Sequence, residues 1–360
     1  MASDERIRRI GHETLIRRAE NIFCACGMAQ ADARMLAESL VRADMRGVKS
    51  HGLVRLPGYA GQIRSGAVDP SSGAEIVRET QFSAVMDGHM GLGALVSCQA
   101  AQVTVRKARE NGIAFVTVRN SSHNGAEGLW TQMMSQDREL ISFCATNSAP
   151  VLAPVNGVSR GIGSNPFSVS IPAGRHPNLC LDIACGCMAQ GKIWAYQRQN
   201  RPLPEGAWIG PDGEETTDPN RWAVEEYIML PFGGHKGFGL SMVMEALTSA
   251  LSGSDFQDQW GGGYGVQPVS HCFAAMRIDA FTDADAYRSR IDRYVDYVHA
   301  LPVREGCPRP AYPGEHAART EEESRALGVP EPEQVLREMA RTARELGLPP
   351  KPYHALLDME

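Results

Sequence analysis

Apolar residues near the start of the chain recur at intervals of three and four, which predicts an amphipathic helix over residues 11–28. The positions on its apolar face are Leu15, Ile16, Ala19, Ile22, Phe23 and Cys26. A second helix is predicted over 31–46, and Gly47 is a natural stop for it. A short turn at 50–52 then leads into another helical stretch, so the beginning of the chain is predicted to be helical.

Between residues 74 and 147 the pattern changes to strands that alternate with helices. Short runs of apolar residues bounded by turn residues predict strands, and longer amphipathic runs predict helices. The predicted order is strand 74–79, strand 82–87, helix 92–111, strand 113–120, turn 121–128, helix 129–136 and strand 140–147. This rhythm predicts an α/β layer structure.

The second half of the chain is predicted to be less regular. Its predicted elements are a loop-rich stretch after residue 147, neighbouring strands at 167–173 and 178–184, a polar surface excursion at 200–222, a helix at 236–253, a strand at 271–280, a helix at 283–300 and one last helix near 331–346 in a Pro- and charge-rich tail. The helix at 236–253 is apolar on nearly every side, so we expect it to be buried.

Composition excludes several classes of protein. The 360 residues carry a formal charge of −6, with 43% hydrophobic and 22% charged residues, which is ordinary for a globular chain. A mildly acidic chain lacks the charge of a nucleic-acid binder, and no apolar run is long enough to span a membrane. The nine cysteines include no C-x-x-C pair, and no apolar leader opens the chain. We therefore expect a cytoplasmic protein with reduced thiols.

Two motif matches lack the context that their chemistry needs. Residues 157–161 form G-x-S-x-G around Ser159, but the residues that follow predict a turn and a strand rather than the helix of a nucleophile elbow. A serine hydrolase that uses Ser159 remains as an alternative. Residues 186–192 form the start of a P-loop, but Ile193 replaces the hydroxyl residue that would hold magnesium, so an NTPase is not expected.

Three segments place a histidine among glycines. Ser50, His51 and Gly52 are followed by Arg55, and this combination can move a proton and clamp a carboxylate, although a helix cap beside a solvated arginine fits equally well. Residues 121–125 follow a strand and open a helix, which suits an anion but is also an ordinary turn. Residues 233–237 place Lys236 at a positive helix end, a conflict that favours function. The three histidines lie far apart in sequence, so no metal site is predicted.

No G-x-G-x-x-G follows a predicted strand, yet nine segments together resemble the type 2 malate/L-lactate dehydrogenase family, whose members bind NAD or NADP on a fold of their own. The segments are KSHGLVRLPGY (49–59), SSHNGAEG (121–128), ATNSAPVLAP (145–154), GIGSNPFSVSIP (161–172), LDIA (181–184), AQGKI (189–193), TTDP (216–219), LPFGGHKGFGLSMVMEAL (230–247) and YPGE (312–315). They appear in the family's order.

The resemblance implies a non-Rossmann α/β fold in which a mixed sheet is flanked by helices, with a smaller helical substrate region. It implies a substrate and dimerisation region over 1–75, joined by the tail 303–360, and an NAD(P)-binding α/β domain over 76–302. It also implies a homodimer that acts on a small 2-oxo or 2-hydroxy acid, or on a cyclic imino acid.

The family's site residues carry over by motif. His51 resembles the proton donor and Ser50 its relay, while His123 competes with His51 for the acid/base role. The matching positions for substrate are Arg55, Tyr59 and Thr146. The matching positions for the cofactor are His123, Asn124, Gly125, Ser148, Asp182, Ile183, Ala184, His235, Lys236, Gly314 and Glu315.

The chain also departs from the family pattern. The usual D-M-A-T-S reads Asp182 to Gly186 without its last hydroxyls, and the usual W-A-x-D reads Trp208-Ile209-Gly210 without a carboxylate in register. These departures bear on substrate identity more than on reaction class. They also leave open a third alternative, a catalytically inactive family member that only binds cofactor.

Overall fold

The computed structural model describes residues 6–188, 192–260 and 267–357. The α-helices in these ranges are α1 His12–Ala25, α2 Gln30–Met45, α3 Leu56–Arg64, α4 Gly93–Asn111, α5 Glu127–Met134, α6 Lys192–Gln199, α7 His235–Glu245, α8 Ala284–His299, α9 Glu315–Leu327, α10 Glu333–Glu345 and α11 Lys351–His354. A π-helical turn, Ala246–Ala250, extends α7.

The strands form three sheets. In chain order they are β1 Ile7–Ile10, β2 Glu75–Glu79, β3 Ser83–Asp87, β4 Ile113–Ser121, β5 Leu140–Thr146, β6 Pro150–Leu152, β7 Ile162–Gly163, β8 Phe167–Ile171, β9 Leu179–Ile183, β10 Trp208–Ile209, β11 Ile228–Met229, β12 Val269–Arg277 and β13 Val329–Pro332. The largest sheet has the order β2-β3-β4-β12-β5-β8-β9, a smaller one β10-β11-β6-β7, and β1 pairs with β13.

The seven-stranded sheet is mixed and differs from a doubly wound Rossmann sheet. Of its neighbouring pairs, β3 and β4 are parallel, whereas the others are antiparallel. A Rossmann site is built from several successive parallel strands joined by crossover helices, whereas β3 and β4, joined by α4, form one parallel pair among the antiparallel pairs of this sheet. The predicted mixed α/β sheet flanked by helices is confirmed.

One large apolar cluster joins the N-terminal helices to the sheet. It contains the apolar face predicted for α1, with Leu15, Ile22 and Phe23 fully buried, together with Val116 and Val118 of β4. Leu336 and Met339 of α10 enter the same cluster from the end of the chain. The two ends of the sequence therefore pack together beside the sheet, and the β1–β13 pair fastens them.

The predicted burial of residues 236–253 is wrong. Met242, Val243 and Leu251 are each more than half exposed. The inward face carries Ser241 and Glu245 instead, because both have hydrogen-bond partners inside: the Ser241 hydroxyl donates to the Gly163 carbonyl at 2.8 Å. Because the helix is apolar on nearly every side, its sequence did not indicate which face is buried. The hydrogen bonds of Ser241 and Glu245 to interior partners determine that face.

The surface excursion predicted over 200–222 is wrong in part. Much of it is exposed, but Trp208 and Ile209 form β10 and are buried. Trp208 packs edge-on against Tyr227, and both rings belong to a second apolar cluster beneath the smaller sheet. Because β10 is only two residues long, it produces no recognisable alternation of apolar and polar positions, and it was not predicted.

The tail contains more helix than predicted. Residues 331–346 form α10 as expected, but α9 and the short α11 also lie beyond residue 303. Helix α9 is mostly polar, and Ser324 is its buried residue. It shows no apolar stripe because it packs against α2 through ion pairs, such as that between Glu321 and Arg42 at 3.1 Å.

None of the helices in the described part of the chain is both long and apolar enough to cross a bilayer.

Candidate active site

The S-H-G turn is held by a buried carboxylate beneath it. Lys49–His51 and Leu53–Arg55 are short 3₁₀ turns on either side of Gly52. The Asp44 carboxylate accepts the Leu53 backbone N–H at 2.6 Å, and a Cβ atom on Gly52 would lie 1.9 Å from Asp44 Oδ1. Only glycine leaves room for the Asp44 carboxylate beneath position 52. The hydrogen bond from this carboxylate to the backbone therefore helps to fix the turn that carries His51.

Two histidines that are far apart in sequence meet face to face. The rings of His51 and His123 stack with centroids 5.4 Å apart and planes 16° apart. Ser50 Oγ lies 2.9 Å from His51 Nδ1, and the Tyr59 hydroxyl lies 2.6 Å from His123 Nδ1. The structure therefore brings four of the predicted site residues into one cluster.

The hydrogen bonds of His123 indicate its tautomer. The Gly125 backbone N–H donates to His123 Nδ1 at 3.3 Å, so Nδ1 is an acceptor and the ring proton of the neutral form lies on Nε2. The Tyr59 hydroxyl must then donate to the same nitrogen. Burial raises the pKa of Tyr59, which keeps this hydroxyl protonated.

Both rings of the pair are neutral near pH 7. Burial, and then the charge of Arg55, lower the pKa of His51 to about 4. Burial lowers the pKa of His123 well below its usual value, with further contributions from Arg55 and His51. Arg55 itself is exposed, and its Nε donates to the Ser50 carbonyl at 2.7 Å, which places its charge at the rim of the cluster.

Thr146 is connected to the histidine turn through a buried histidine of β12. His271 Nδ1 lies 2.8 Å from Thr146 Oγ1, and His271 Nε2 lies 2.9 Å from Ser121 Oγ. Burial lowers the pKa of His271 to about 3, so this ring is neutral and bridges the two hydroxyls. Because Ser121 ends β4 two residues before His123, Thr146 lies behind the His123 turn.

Ser148 belongs to a buried polar network centred on Glu245 of α7. The Glu245 carboxylate accepts from Asn147 at 3.2 Å, Asn165 at 2.8 Å and Ser249 at 2.6 Å. Asn165 Oδ1 in turn accepts the Ser148 backbone N–H at 3.0 Å. The network fixes Ser148 against α7, and its own hydroxyl lies 3.3 Å from that of Ser164.

Asp182 caps the helix that follows the His123 turn. Its Oδ2 accepts the Gly128 backbone N–H at 3.0 Å, and a Cβ atom on Gly128 would lie 2.6 Å from the same oxygen. Burial of the carboxyl group raises the pKa of Asp182 to about 6, although the residue as a whole is exposed. Ile183 and Ala184 continue from Asp182 at the surface of β9 and its end.

Glu127, at the start of α5, is a buried acid that sequence reasoning missed. Its Oε2 accepts from the Cys144 thiol at 2.6 Å, and its Oε1 has no hydrogen-bond partner among the described residues. Burial, with a smaller contribution from the Asp182 charge, raises the pKa of Glu127 to about 8. Its carboxyl group is therefore largely protonated at neutral pH.

Other predicted cofactor residues lie away from the histidine cluster. His235 and Lys236 are exposed at the start of α7, and no contact joins them to His51 or His123 in the described part of the chain. Glu315 starts α9 and accepts from His299 at 3.0 Å and from Arg309. Gly314 precedes it with φ of +90°, a conformation that favours glycine.

The residues near the His123 turn fit a dinucleotide. The Asn124 side-chain Nδ2 is buried near the Glu127 carboxyl group, whose pKa it lowers, but it makes no close hydrogen bond to a described residue. Gly125 has φ of +89°, and the space where a Cβ atom would stand is open for 4 Å. Among the described residues, no three His, Cys, Asp or Glu side chains converge as metal ligands would.

The two glycines at the family departures are closely packed. A Cβ atom on Gly186 would lie 2.1 Å from the Met229 sulfur, and one on Gly210 would lie 2.1 Å from the Trp222 ring. A larger residue at either position would require the neighbouring side chain to move.

The alternative chemistries find no support in the geometry. Ser159 lies exposed on the loop between β6 and β7, and the residues after it enter a strand, so the nucleophile elbow is absent. In the partial P-loop match, residues 189–191 lie outside the described residues.

Sequence reasoning also missed Asp44, Glu245 and His271. Each had a signal, since each is a charged or titratable residue within a largely apolar stretch of a predicted helix or strand. Such a residue is either buried with hydrogen-bond partners or belongs to a functional site. Its partners lie on other elements, so only the fold identifies them.

Comparisons with known proteins agree with this geometry. The family model described as malate/L-lactate dehydrogenase matches residues 10–340. The chain is 32% identical over 357 residues to a malate dehydrogenase of Pyrococcus abyssi, with 96% of this chain and 97% of the relative covered. It is 31% identical over 319 residues to a Delta(1)-pyrroline-2-carboxylate/Delta(1)-piperideine-2-carboxylate reductase of Pseudomonas putida, with 88% and 91% covered.

The fold points the same way. The structure of malate dehydrogenase from Pyrococcus horikoshii OT3 superimposes with a TM-score of 0.87 at 28% identity, covering 96% of this chain and 97% of that one. The chain therefore belongs to the malate/L-lactate dehydrogenase family and is an oxidoreductase of the NAD(P)-dependent kind.

Proposed function

We propose that this chain transfers a hydride between the nicotinamide of NAD or NADP and C2 of a small acid. The acid is a 2-oxo or 2-hydroxy acid of the malate and lactate type, or a cyclic 2-imino acid, and the relatives include enzymes named for both classes. The observation that carries the proposal is the stacked pair of neutral imidazoles, His51 and His123, beside the exposed guanidinium of Arg55.

His51 is the proton donor in this proposal, and it takes the proton back in the oxidative direction. Its Nδ1 contacts the hydroxyl of Ser50, which is exposed, so Ser50 can relay a proton between solvent and the ring. Among the described residues, the partners of His123 Nδ1 are the buried hydroxyl of Tyr59 and the Gly125 backbone N–H, so this nitrogen lacks an exposed hydroxyl like that of Ser50. His123 remains the second candidate for the acid/base role.

Arg55 binds the substrate carboxylate and couples binding to protonation. Its free charge lowers the pKa of His51, and a carboxylate paired with Arg55 would cancel part of that charge. Substrate binding would then raise the pKa of His51 toward neutrality and allow it to carry the proton that the reaction needs. Tyr59 positions His123 through its hydroxyl group. Thr146, which contacts His271 behind the His123 turn, forms part of the wall of the proposed substrate site.

The remaining predicted residues hold the cofactor. Asn124 and Gly125 offer an amide that makes no close hydrogen bond to a described residue and an open backbone at the turn, and Asp182 lies next to them at the start of α5. The other positions that we assign to the dinucleotide are His123, Ser148, Ile183, Ala184, His235, Lys236, Gly314 and Glu315.

We propose that the active form is a homodimer. The large apolar side chains of Met242 and Val243 on α7, and of Leu251 directly after its π-helical turn, are each more than half exposed. Large exposed apolar side chains so close together in the chain favour a contact surface, and a second copy of this chain is the partner that the resemblance implies. The division into region 1–75 with 303–360 and domain 76–302, and a cytoplasmic location, also stay proposals.

The test of the function is the variant His51→Ala, assayed with both nicotinamide cofactors and a panel of 2-oxo and cyclic imino acids. Loss of positioned proton transfer should reduce kcat by about 10²–10⁴-fold. Cofactor affinity, measured by titration, should stay unchanged. His316→Ala, an exposed histidine of α9, is the matched control. Near-normal turnover in His51→Ala would transfer the acid/base role to His123.

A further inference from the structure

An arginine-rich cavity of about 460 Å³ lies between α2, α5, α9 and the residues before β9. Five of the residues that line it are arginines: Arg42, Arg46, Arg138, Arg175 and Arg325. Two lining residues, Glu321 and Glu322, are acidic, so five positive and two negative side chains leave a charge of +3 on the wall. We call this space the arginine cavity.

Internal ion pairs neutralise the arginine cavity only in part. Glu321 alone accepts from Arg42 at 3.1 Å and Arg46 at 2.6 Å, and Arg325 lies 3.7 Å away. One carboxylate is thus shared by three guanidinium groups. Like charges held this close repel one another unless an anion enters between them.

Arg138 adds a charge that has no acidic partner. Its guanidinium donates to the carbonyls of Ala173 and Gly174, and it makes no ion pair with any described residue. Arg175 on the same wall, by contrast, is paired with Asp296 and approaches Asp292. A half-buried guanidinium fixed by backbone carbonyls is oriented in advance for a planar, charged ligand.

The arginine cavity is close to the proposed cofactor residues. Gln132 lines it and lies four residues along α5, about 6 Å at the helical rise, from Gly128, whose backbone N–H donates to the proposed cofactor residue Asp182. Gly314 also lines it and packs against Cys180, which precedes Asp182 by two residues on β9, about 6.7 Å along a strand. The charge of Arg46 reaches Asp182, whose pKa it lowers against the larger effect of burial.

We propose that the arginine cavity binds the phosphate ester on the adenosine ribose of the cofactor, so that this enzyme prefers NADP(H) to NAD(H). This inference rests on the proposed function. A phosphate dianion would compensate the excess charge and match the guanidinium forks, whereas the neutral ribose hydroxyl of NAD would leave the charge uncompensated. Gln132 and Asn178 on the wall supply neutral donors for the same group.

The direct test compares two halves of the cofactors by calorimetric titration of the purified protein. Adenosine 2′,5′-bisphosphate and adenosine 5′-monophosphate differ only in the ribose phosphate. Because the additional phosphate forms hydrogen bonds to charged guanidinium groups, we expect the bisphosphate to bind at least about tenfold more tightly. NADPH should show the same preference over NADH.

Two variants on the same helix locate the effect. Arg325→Ala removes a partly exposed cavity charge, and it should reduce the preference for the bisphosphate several-fold. Arg319→Ala removes an exposed charge of α9 that does not line the cavity, and it should leave the preference unchanged. Arg42→Ala is a second cavity variant in case Arg325→Ala is poorly folded.

The possible failures are distinguishable. Equal or tighter binding of NADH would overturn the phosphate site while the oxidoreductase proposal stands. Binding of neither dinucleotide would overturn both. If inorganic phosphate binds in an Arg325-dependent manner but the two nucleotides bind equally, the arginine cavity is a site for a free anion, and the inference about the cofactor is wrong.

Discussion

The imidazole of His51 lies flat against that of His123, with ring centroids 5.4 Å apart. Each ring has its own hydroxyl partner, Ser50 for the first and Tyr59 for the second. Burial and the nearby Arg55 lower the pKa of both rings, so neither is charged at neutral pH. A negative charge placed beside the pair would raise these pKa values and favour protonation. The carboxylate of a bound substrate would supply such a charge.

The first prediction concerns the electrostatic effect of Arg55. In Arg55→Gln the pKa of His51 should rise, because a positive charge that opposes protonation is removed. The rise should recover only part of the shift, since burial is the larger cause. NMR titration of the His51 ring measures it. Arg64→Gln removes an exposed charge farther along α3 and is the control; equal shifts in the two variants would contradict the assignment.

The second prediction concerns the steric role of Gly52. In Gly52→Ala the new methyl group would collide with the Asp44 carboxylate, so we expect a loss of about 1–3 kcal/mol in the free energy of unfolding. Chemical denaturation measures it. In Gly58→Ala on α3 no atom lies within 4 Å of the new methyl, and the change should stabilise the protein by about 0.5–1 kcal/mol. A neutral Gly52→Ala would show that the Asp44 contact is not tight in solution.

The third prediction concerns the buried carboxyl of Glu127. Burial raises its pKa to about 8, so the folded state holds a proton that the unfolded state releases near pH 4.5. Stability due to this group is complete below pH 4.5 and is lost as the pH rises to about 8, by at most about 1.4 kcal/mol per pH unit.

Glu127→Gln removes that proton uptake. The variant should have a flatter stability curve between pH 5 and pH 8, with its largest gain over the parent at pH 8. Urea denaturation across this range gives the slope. Glu205→Gln, which changes an exposed carboxylate, should keep the parent slope. An unchanged slope in Glu127→Gln would mean that Glu127 is charged when folded.

The fourth prediction concerns the exposed apolar side chains of α7. Val243→Glu places a charge among apolar side chains that we expect to be buried between two copies of the chain, so the dimer should dissociate at micromolar concentration. Light scattering after gel filtration measures the mass. Phe281→Glu changes an exposed apolar residue on another surface and should leave the dimer intact. A monomeric parent protein would refute the homodimer directly.

Local patterns were sufficient where one face of an element is apolar and the other polar. The apolar positions predicted for α1 are buried as expected, except Cys26, which is half-buried just beyond the helix, and β4 begins at the predicted residue, because periodicity records which side faces the core. The nine family segments likewise identified the reaction class without any coordinates. They also named the residues of the histidine cluster, because each short motif keeps its spacing.

Long-range contacts were decided only by the tertiary structure. Nothing near His51 indicates that its ring stacks on His123, or that His271 bridges Thr146 and Ser121, because these partners lie on different elements. Helix α7 buries Glu245 and exposes Met242 for the same reason: its polar partners come from distant loops.

The sequence by itself thus determined most of the longer elements, the family to which the chain belongs and the side chains of the histidine cluster. The tertiary structure alone decided how those side chains meet and how charge accumulates in the arginine cavity. The physical reason is that periodicity and motif spacing are properties of neighbouring residues, whereas burial, pKa shifts and charge pairing depend on residues brought together by folding.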